Sequence, residues 1–239
     1  MLEESVPEDR LNSLLKKYVN SEGKVDYSSL EEEAETVENY VRWLGSFDPE
    51  NLKTRNEKLA FWINAYNMLT IYGVLTQLRK KPDFAKKGHK NFFQRFRFFW
   101  WTKYRIGGRK YSLYQIENKI LREKFSEPRI HFALNCASQS CPLLKDGLYS
   151  AENLDQELDM AATLFIRSPK GARLDRKNRV LYLSSIFKWY RNDFEKSCRS
   201  IVEFVKKYLE EEDRKFIEDN LSEMKIGYQE YDWGLNVRN

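Results

Sequence analysis

Between Glu57 and Leu78 the chain carries apolar residues on nearly every side of a helical wheel: Leu59, Ala60, Phe61, Trp62, Ile63, Ala65, Tyr66, Met68, Leu69 and Ile71. A helix with one apolar stripe lies on a surface, whereas one that is apolar all round has to be enclosed by other elements. This run therefore predicts a central helix with the rest of the domain wrapped around it. No run of eighteen apolar residues occurs, so no transmembrane segment is expected. Asn64 and Asn67 stand three apart on one side of the same helix. Buried amides need partners, which predicts that the pair ties down neighbouring loops or lines a binding site. Glu57 opens the helix. It reads as a general base, as a carboxylate holding a loop by its backbone amides, or as a first-turn acid that suits the helix dipole.

The 239 residues show no internal repeat, low-complexity linker or break in composition, which is the pattern of a single domain over 1–239. Leu11, Leu14, Leu15 and Val19 predict an amphipathic helix over 7–19. Residues 24–27 read as extended, and Ser28 and Ser29 ahead of acidic residues begin a helix to about Leu44. Gly107-Gly108 sits between residues 103–106 and 109–112, the pattern of a tight hairpin, and a helix follows over 113–124. Residues 129–135 (RIHFALN) read as a strand closed by the loop CASQSCP. Beyond it come a helix from Ser150 to about Ile166 and a second hairpin from 173–175 and 180–183. Helices over 185–194, 200–211 and 213–220 follow, then an aromatic tail over 224–236 that docks as an edge strand. The fold class is α+β, mostly helical, with a small antiparallel sheet and a buried central helix.

Several blocks occur in a familiar order: EKLAFWINAYNMLT at 57–70, IGGRKYSL at 106–113, IENKILR at 116–122, PRIHFALNCASQSCPLL at 128–144, IFKWYRNDF at 186–194 and YDWGLN at 231–236. Together they resemble the domain-of-unknown-function family 547 over residues 30–236, with 1–29 as a helical N-terminal extension. The resemblance implies a fold more than an activity. Some relatives are fused to glutaredoxin-like or leucine-zipper segments, and the pattern implies a distant relationship to papain-like cysteine peptidases. One position departs from the family. Where it usually reads IEH, this chain has Ile116-Glu117-Asn118, so any role of that histidine falls here to an amide or is lost.

The chain has two histidines, and one of them, His131, lies a few residues ahead of Cys136 and Cys141. An imidazole that takes a thiol proton leaves a nucleophilic thiolate at neutral pH. On an extended strand His131 and Cys136 are roughly 16 Å apart at about 3.3 Å per residue, and on opposite faces. Cys141 sits beyond a loop that can fold back. Pro142 after it favours a first helical position, which would make Cys141 a helix N-cap. Cys141 is thus the preferred nucleophile and Cys136 the second choice. His131 is the expected general base and Glu117 the group that orients it. Loop amides with Asn64 or Asn67 would stabilise an oxyanion.

The function expected on this basis is a cysteine-dependent hydrolase or acyl-transferase, peptidase-like, acting on a peptide or other acyl substrate. The plainer reading makes His131 a core histidine and the cysteines small buried hydrophobes. A local Cys136–Cys141 disulfide with a thiol redox role is a third reading. His131, Cys136 and Cys141 supply only three metal ligands at an unfamiliar spacing, so no metal or cofactor is expected. Asp193, four residues after Trp189, reads as a third-member carboxylate, a cap or an ion-pair partner.

The whole chain has a net charge of +5, but the charge is unevenly placed. From Arg79 to Lys110 there are twelve Lys or Arg and one acid, Asp83, a net +11 that leaves the remainder at −6. At the centre of this stretch is FFQRFRFFWW. Cations interleaved with aromatics suit single-stranded nucleic acid or an anionic membrane surface, which makes a non-catalytic binding module the alternative function. Otherwise the aromatics pack inward and the cations stay in water, or the segment forms a lid over His131 and Cys141 that attracts an acidic substrate. A charged fraction of 32% fits an ion-pair-rich, thermostable surface and a mesophilic one alike. Three cysteines make no disulfide framework, and the acidic, then amphipathic N-terminus lacks a basic-then-apolar signal pattern. The expected location is therefore cytoplasmic.

Overall fold

A computed structural model describes residues 8–238; residues 1–7 and 239, and with them the acidic start of the chain, lie outside it. The central helix runs Arg55–Lys80, and fifteen of its residues are buried, including Leu59, Ile63, Met68 and Leu69. Its start is fixed by a reciprocal cap: the Thr54 hydroxyl accepts the Glu57 N–H, while the Glu57 carboxylate accepts the N–H groups of Lys53 and Thr54 at 2.7 Å each. These backbone amides hold the Glu57 carboxyl below its ordinary range. Glu57 is therefore a capping and loop-holding residue.

Helices Glu8–Tyr18 and Ala34–Ser46 pack beside the central helix, burying Leu11, Leu14, Leu15, Val37, Tyr40 and Leu44. The hairpin of β1 (Tyr104–Ile106) and β2 (Arg109–Tyr111) turns through Gly107 and Gly108, whose φ values of 55° and 75° suit residues without a Cβ. A second sheet joins β3 (Ala172–Asp175), β4 (Val180–Leu183) and β5 (Lys225–Tyr228). The β3–β4 pair is antiparallel, and β5 adds to β4 in parallel as an edge strand. Thus only the first part of the expected tail strand pairs in this sheet. The rest crosses to the other end of the domain, where Leu235 bridges Ser138 and Val237 bridges Val25.

Two buried clusters make the core. One surrounds the central helix, and the other, with Phe165, Phe187, Phe194 and Phe204, lies against the second sheet. Between them sits the segment expected as a strand over 129–135. It is instead a one-turn helix, Ile130–Ala133, followed by an extended Leu134. Pro128 presets the first bend, and N–H groups of residues 130, 131 and 132 close on the carbonyls of 127, 128 and 129. Ile130 and Ala133 enter the first cluster while Phe132 enters the second, so both faces of the turn are apolar. Such a run has the appearance of a buried strand in sequence.

Asn67 supplies what a neighbouring strand would have given. Its amide donates to the Ala133 carbonyl and accepts the Asn135 N–H, both at 2.9 Å and both buried. Asn64 does the same for Tyr149, at 2.8 Å in each direction. Replacing Asn67 with Ala strands a buried carbonyl and a buried N–H, and should cost about 2–4 kcal/mol in urea unfolding; Asn64→Ala, at a less buried site, should cost about half as much.

Candidate active site

A cavity of about 450 Å³ opens beside the Ile130–Ala133 turn. Its lining includes Glu117, Asn118, His131, Cys136 and Cys141, so most of the residues expected in the site do converge. Asn64 and Asn67 do not line it, because both amides are spent on backbone groups; the oxyanion role expected of them is withdrawn. Much of the remaining wall is aromatic: Tyr66, Phe92, Phe96, Phe99, Trp100, Tyr190 and Trp233 among others.

Cys136 and Cys141 are paired with each other as a disulfide, with Cα atoms 6.3 Å apart, inside the span a bridge tolerates. Tyr231 presents its hydroxyl to both sulfurs, 3.3 Å from Cys136 Sγ and 3.2 Å from Cys141 Sγ. Burial keeps this phenol protonated, far above its ordinary range. The Cys136 N–H points at Cys141 Sγ at 3.0 Å. No helix begins at Pro142, since the next one is Leu154–Arg167, so Cys141 is not an N-cap. Cys141 is buried and Cys136 half-buried, which leaves Cys136 as the more reachable sulfur.

The loop between the two cysteines is held from both sides. Ala137 has φ of 60°, a left-handed conformation unfavourable for a residue with a Cβ. Its N–H donates to Asn135 Oδ1 at 2.8 Å and its carbonyl accepts the Asn236 N–H at 3.1 Å. Gln139 N–H and Ser140 N–H reach the Gly234 and Asp232 carbonyls. The C-terminal tail thus clamps the loop, and brings Tyr231 and Trp233 into the site.

His131 meets a different partner from the one expected. Its Nε2 lies 2.9 Å from Asp193 Oδ2, and the Arg122 guanidinium closes on the same carboxylate through Nε at 2.6 Å and Nη2 at 3.1 Å. Burial alone would raise the Asp193 carboxyl, but the hydrogen bonds from His131 and Arg122 outweigh it and hold the group far below the carboxylate range. An ionised Asp193 accepts, so Nε2 carries the proton of the neutral ring. The carboxylate placed on His131 is therefore Asp193, the alternative third-member carboxylate, and not Glu117. Glu117 accepts from the hydroxyls of Tyr190 and Tyr66 instead. Tyr190, which sequence reading passed over, stacks on His131 with ring centroids 3.9 Å apart. Its position next to Trp189 in the conspicuous FKWYRNDF block was the available signal. Asn118 donates to the Tyr114 carbonyl and accepts from Arg122.

Two π-helical segments, Arg97–Trp101 and Ile116–Arg122, border the cavity. Wide turns of this kind recur at functional sites because they re-aim side chains without breaking a helix. The first belongs to the basic aromatic stretch, whose Phe92, Arg95, Phe96, Phe99 and Trp100 line the cavity. Arg95 lies 4.0 Å above the Trp233 ring and lines the cavity; no carboxylate lies within ion-pair distance among the described residues. No three His, Cys, Asp or Glu of the described residues are grouped as a metal site. No helix among them is long and apolar enough to cross a membrane.

The fold and site define an α+β protein with a cysteine pair at the wall of an aromatic cavity. Residues 49–166 match the model of the family described as Protein of unknown function, DUF547, and this part of the chain belongs to that family. The blocks at 186–194 and 231–236, which furnish Tyr190, Asp193, Tyr231 and Trp233, lie beyond the matched span. No curated protein and no solved structure matches the chain.

The basic aromatic stretch packs around His89. This ring is fully buried between Phe84, Phe98 and Phe99, with neither nitrogen hydrogen-bonded among the described residues. Burial, then the charge of Arg95, push its pKa down to about 3. The unfolded chain takes up this proton near pH 6.5 and the folded chain does not, so the stabilisation is present above that pH and lost as pH falls. Between about pH 6.5 and 5 the native protein should lose about 2 kcal/mol relative to His89→Leu in parallel urea titrations.

Proposed function

We propose that the chain is a thiol–disulfide oxidoreductase in which Cys136 and Cys141 exchange electrons with a small, largely apolar thiol or disulfide held in the aromatic cavity. The observation that carries this reading is the pairing itself. Each cysteine has the other as its sulfur partner, while His131 is engaged by Asp193. Thiol exchange needs no base at position 118, so the Asn118 departure leaves it intact.

The chemistry follows from the two sulfur environments. A substrate thiolate attacks the more reachable Cys136 Sγ, and the Cys136–Cys141 bond breaks. Its electron pair goes to Cys141 Sγ, where the Cys136 N–H and the Tyr231 hydroxyl are placed to stabilise a thiolate. A second substrate thiol then attacks the mixed disulfide and releases Cys136. The substrate leaves as a disulfide, and its two electrons and two protons reside on the cysteine pair.

A second reading has one specific support: His131, in the wall of the same cavity, is paired behind that wall with Asp193. In the dithiol form Cys141 would act as nucleophile of a cysteine-dependent hydrolase or acyl-transferase of peptidase-like type, with His131 as base and Asp193 as its orienting carboxylate. Against it stand Asn118 and the absence of a His131–sulfur hydrogen bond among the described residues.

Peptide mass spectrometry after alkylation, across a series of thiol redox buffers, separates the readings. The oxidoreductase should gain two alkyl groups together on Cys136 and Cys141 while still folded, and Cys141→Ser should trap a small thiol on Cys136. A pair that opens only on unfolding would make the bridge a structural staple and end the proposal. Alkylation of Cys141 well below pH 8 that is lost in His131→Ala would instead favour the hydrolase.

A further inference from the structure

We infer that the helical segment 92–101 is a docking surface for anionic phospholipid membranes. Residues Phe92–Phe96 and Arg97–Trp101 form one continuous helical stretch. Its inner side sends Phe98 and Phe99 into the core, and its outer side leaves Phe92, Phe93, Phe96, Trp100 and Trp101 in solvent. Phe93 is 80% exposed and Trp101 73%, the two highest values among the large exposed hydrophobics of the described residues. So dense an apolar patch is unusual on a surface that faces only water.

The charge around the patch supplies the second argument. Lys80, Lys81, Lys86, Lys87, Lys90, Arg95, Arg97 and Lys103 lie within the segment or flank it, against the single acid Asp83. Asp83 pairs with Lys87. Lys80, Lys81, Lys86, Lys90 and Arg97 have no carboxylate within ion-pair distance among the described residues. A short amphipathic helix with Phe and Trp on one face and cations beside it settles in the headgroup layer, its rings at the acyl boundary and its cations on anionic headgroups.

The same composition would suit single-stranded nucleic acid, but three of the five outer rings are already stacked in a row. Phe92 stacks on Phe96, Phe96 on Trp100 with planes 10° apart, and Trp100 on Tyr114. That row leaves Phe93 and Trp101, held only edge-on by Phe92 and Phe96, as the rings with free faces, fewer than a base-stacking platform needs, whereas a lipid boundary uses the apolar area of all five. The cavity mouth lies beside this stack, since Phe92, Phe96 and Trp100 also line the cavity. The docking surface stands independently of the chemistry proposed for the cysteines.

The test is co-sedimentation of the full chain with vesicles of neutral phosphatidylcholine, alone or mixed with phosphatidylglycerol, alongside anisotropy with a labelled oligothymidylate. Binding should require the anionic lipid, weaken with salt, and shift Trp fluorescence to the blue. Phe93→Ser combined with Trp101→Ser removes two rings that do not line the cavity, and should lower vesicle affinity roughly tenfold or more with the circular dichroism unchanged. Lys86→Glu combined with Lys90→Glu should lower binding to anionic vesicles to a similar degree. Equal binding to neutral and anionic vesicles, indifference to both double variants, or tighter binding of the oligonucleotide would each overturn the inference.

Discussion

An all-round buried helix has no solvent face on which to place a polar side chain, so the amide of Asn67 must find its partners inside the protein. It finds them in neighbouring backbone that has no strand beside it, the Ala133 carbonyl and the Asn135 N–H. Each side removes the other's desolvation penalty, so neither could be kept without the other. The pairing fixes where the 130–136 segment lies against the central helix. His131 leaves that segment one turn before the clamp, and Cys136 one residue after it. The distances within the cavity are therefore set by an interaction that takes no part in its chemistry. Asn64 repeats the device at Tyr149, anchoring the loop that follows Pro142.

What the sequence made legible was local. The central helix, both hairpins and the turn at Gly107-Gly108 follow from periodicity and turn chemistry over a few residues. The need of Asn64 and Asn67 for buried partners was also readable, because burial of the helix could be inferred without knowing what surrounds it. The failures are non-local. The 130–133 turn resembles a strand because apolar residues lie on both sides of it, and only the two separate clusters around it explain that pattern. His131 and Asp193 are 62 residues apart, and Tyr231 reaches Cys141 across 90. No spacing rule covers such pairs. Glu117 was the nearest carboxylate in the recognised blocks, yet two tyrosine hydroxyls already occupy it.

In and behind the cavity wall the polar groups are already paired. The two sulfurs share Tyr231, His131 and Arg122 share Asp193, and Glu117 takes Tyr190 and Tyr66. Tyr190 joins the last two sets, because its ring stacks on His131 while its hydroxyl donates to Glu117. A ligand entering this space meets mostly ring faces and edges, with Arg95 as the cation not committed to a carboxylate among the described residues. That environment favours an apolar body over a charged peptide, and it lowers the demand for proton transfer from the wall. Sulfur exchange fits such a setting better than hydrolysis, in which charge on a carbonyl oxygen must be met by donors that here are already engaged.

The uneven charge of the chain follows from how the basic aromatic stretch is attached. Arg79 at its start pairs with Glu31 and Glu38, but among the described residues no later cation of the stretch pairs with a carboxylate outside it. Its buried face consists of Phe84, Phe98 and Phe99 around an unprotonated His89, and Gly88 passes so close to Leu235 that a Cβ there would lie 2.3 Å from the Leu235 N. Apolar attachment leaves the surrounding lysines and arginines unneutralised, and their mutual repulsion is tolerable only because they project into water. The backbone at His89 is fixed separately, its N–H donating to the Trp233 carbonyl at 2.8 Å. Trp233 lies under Arg95, on the same tail whose Tyr231 touches both sulfurs. One stretch of tail therefore touches the basic aromatic segment and the cysteine loop together.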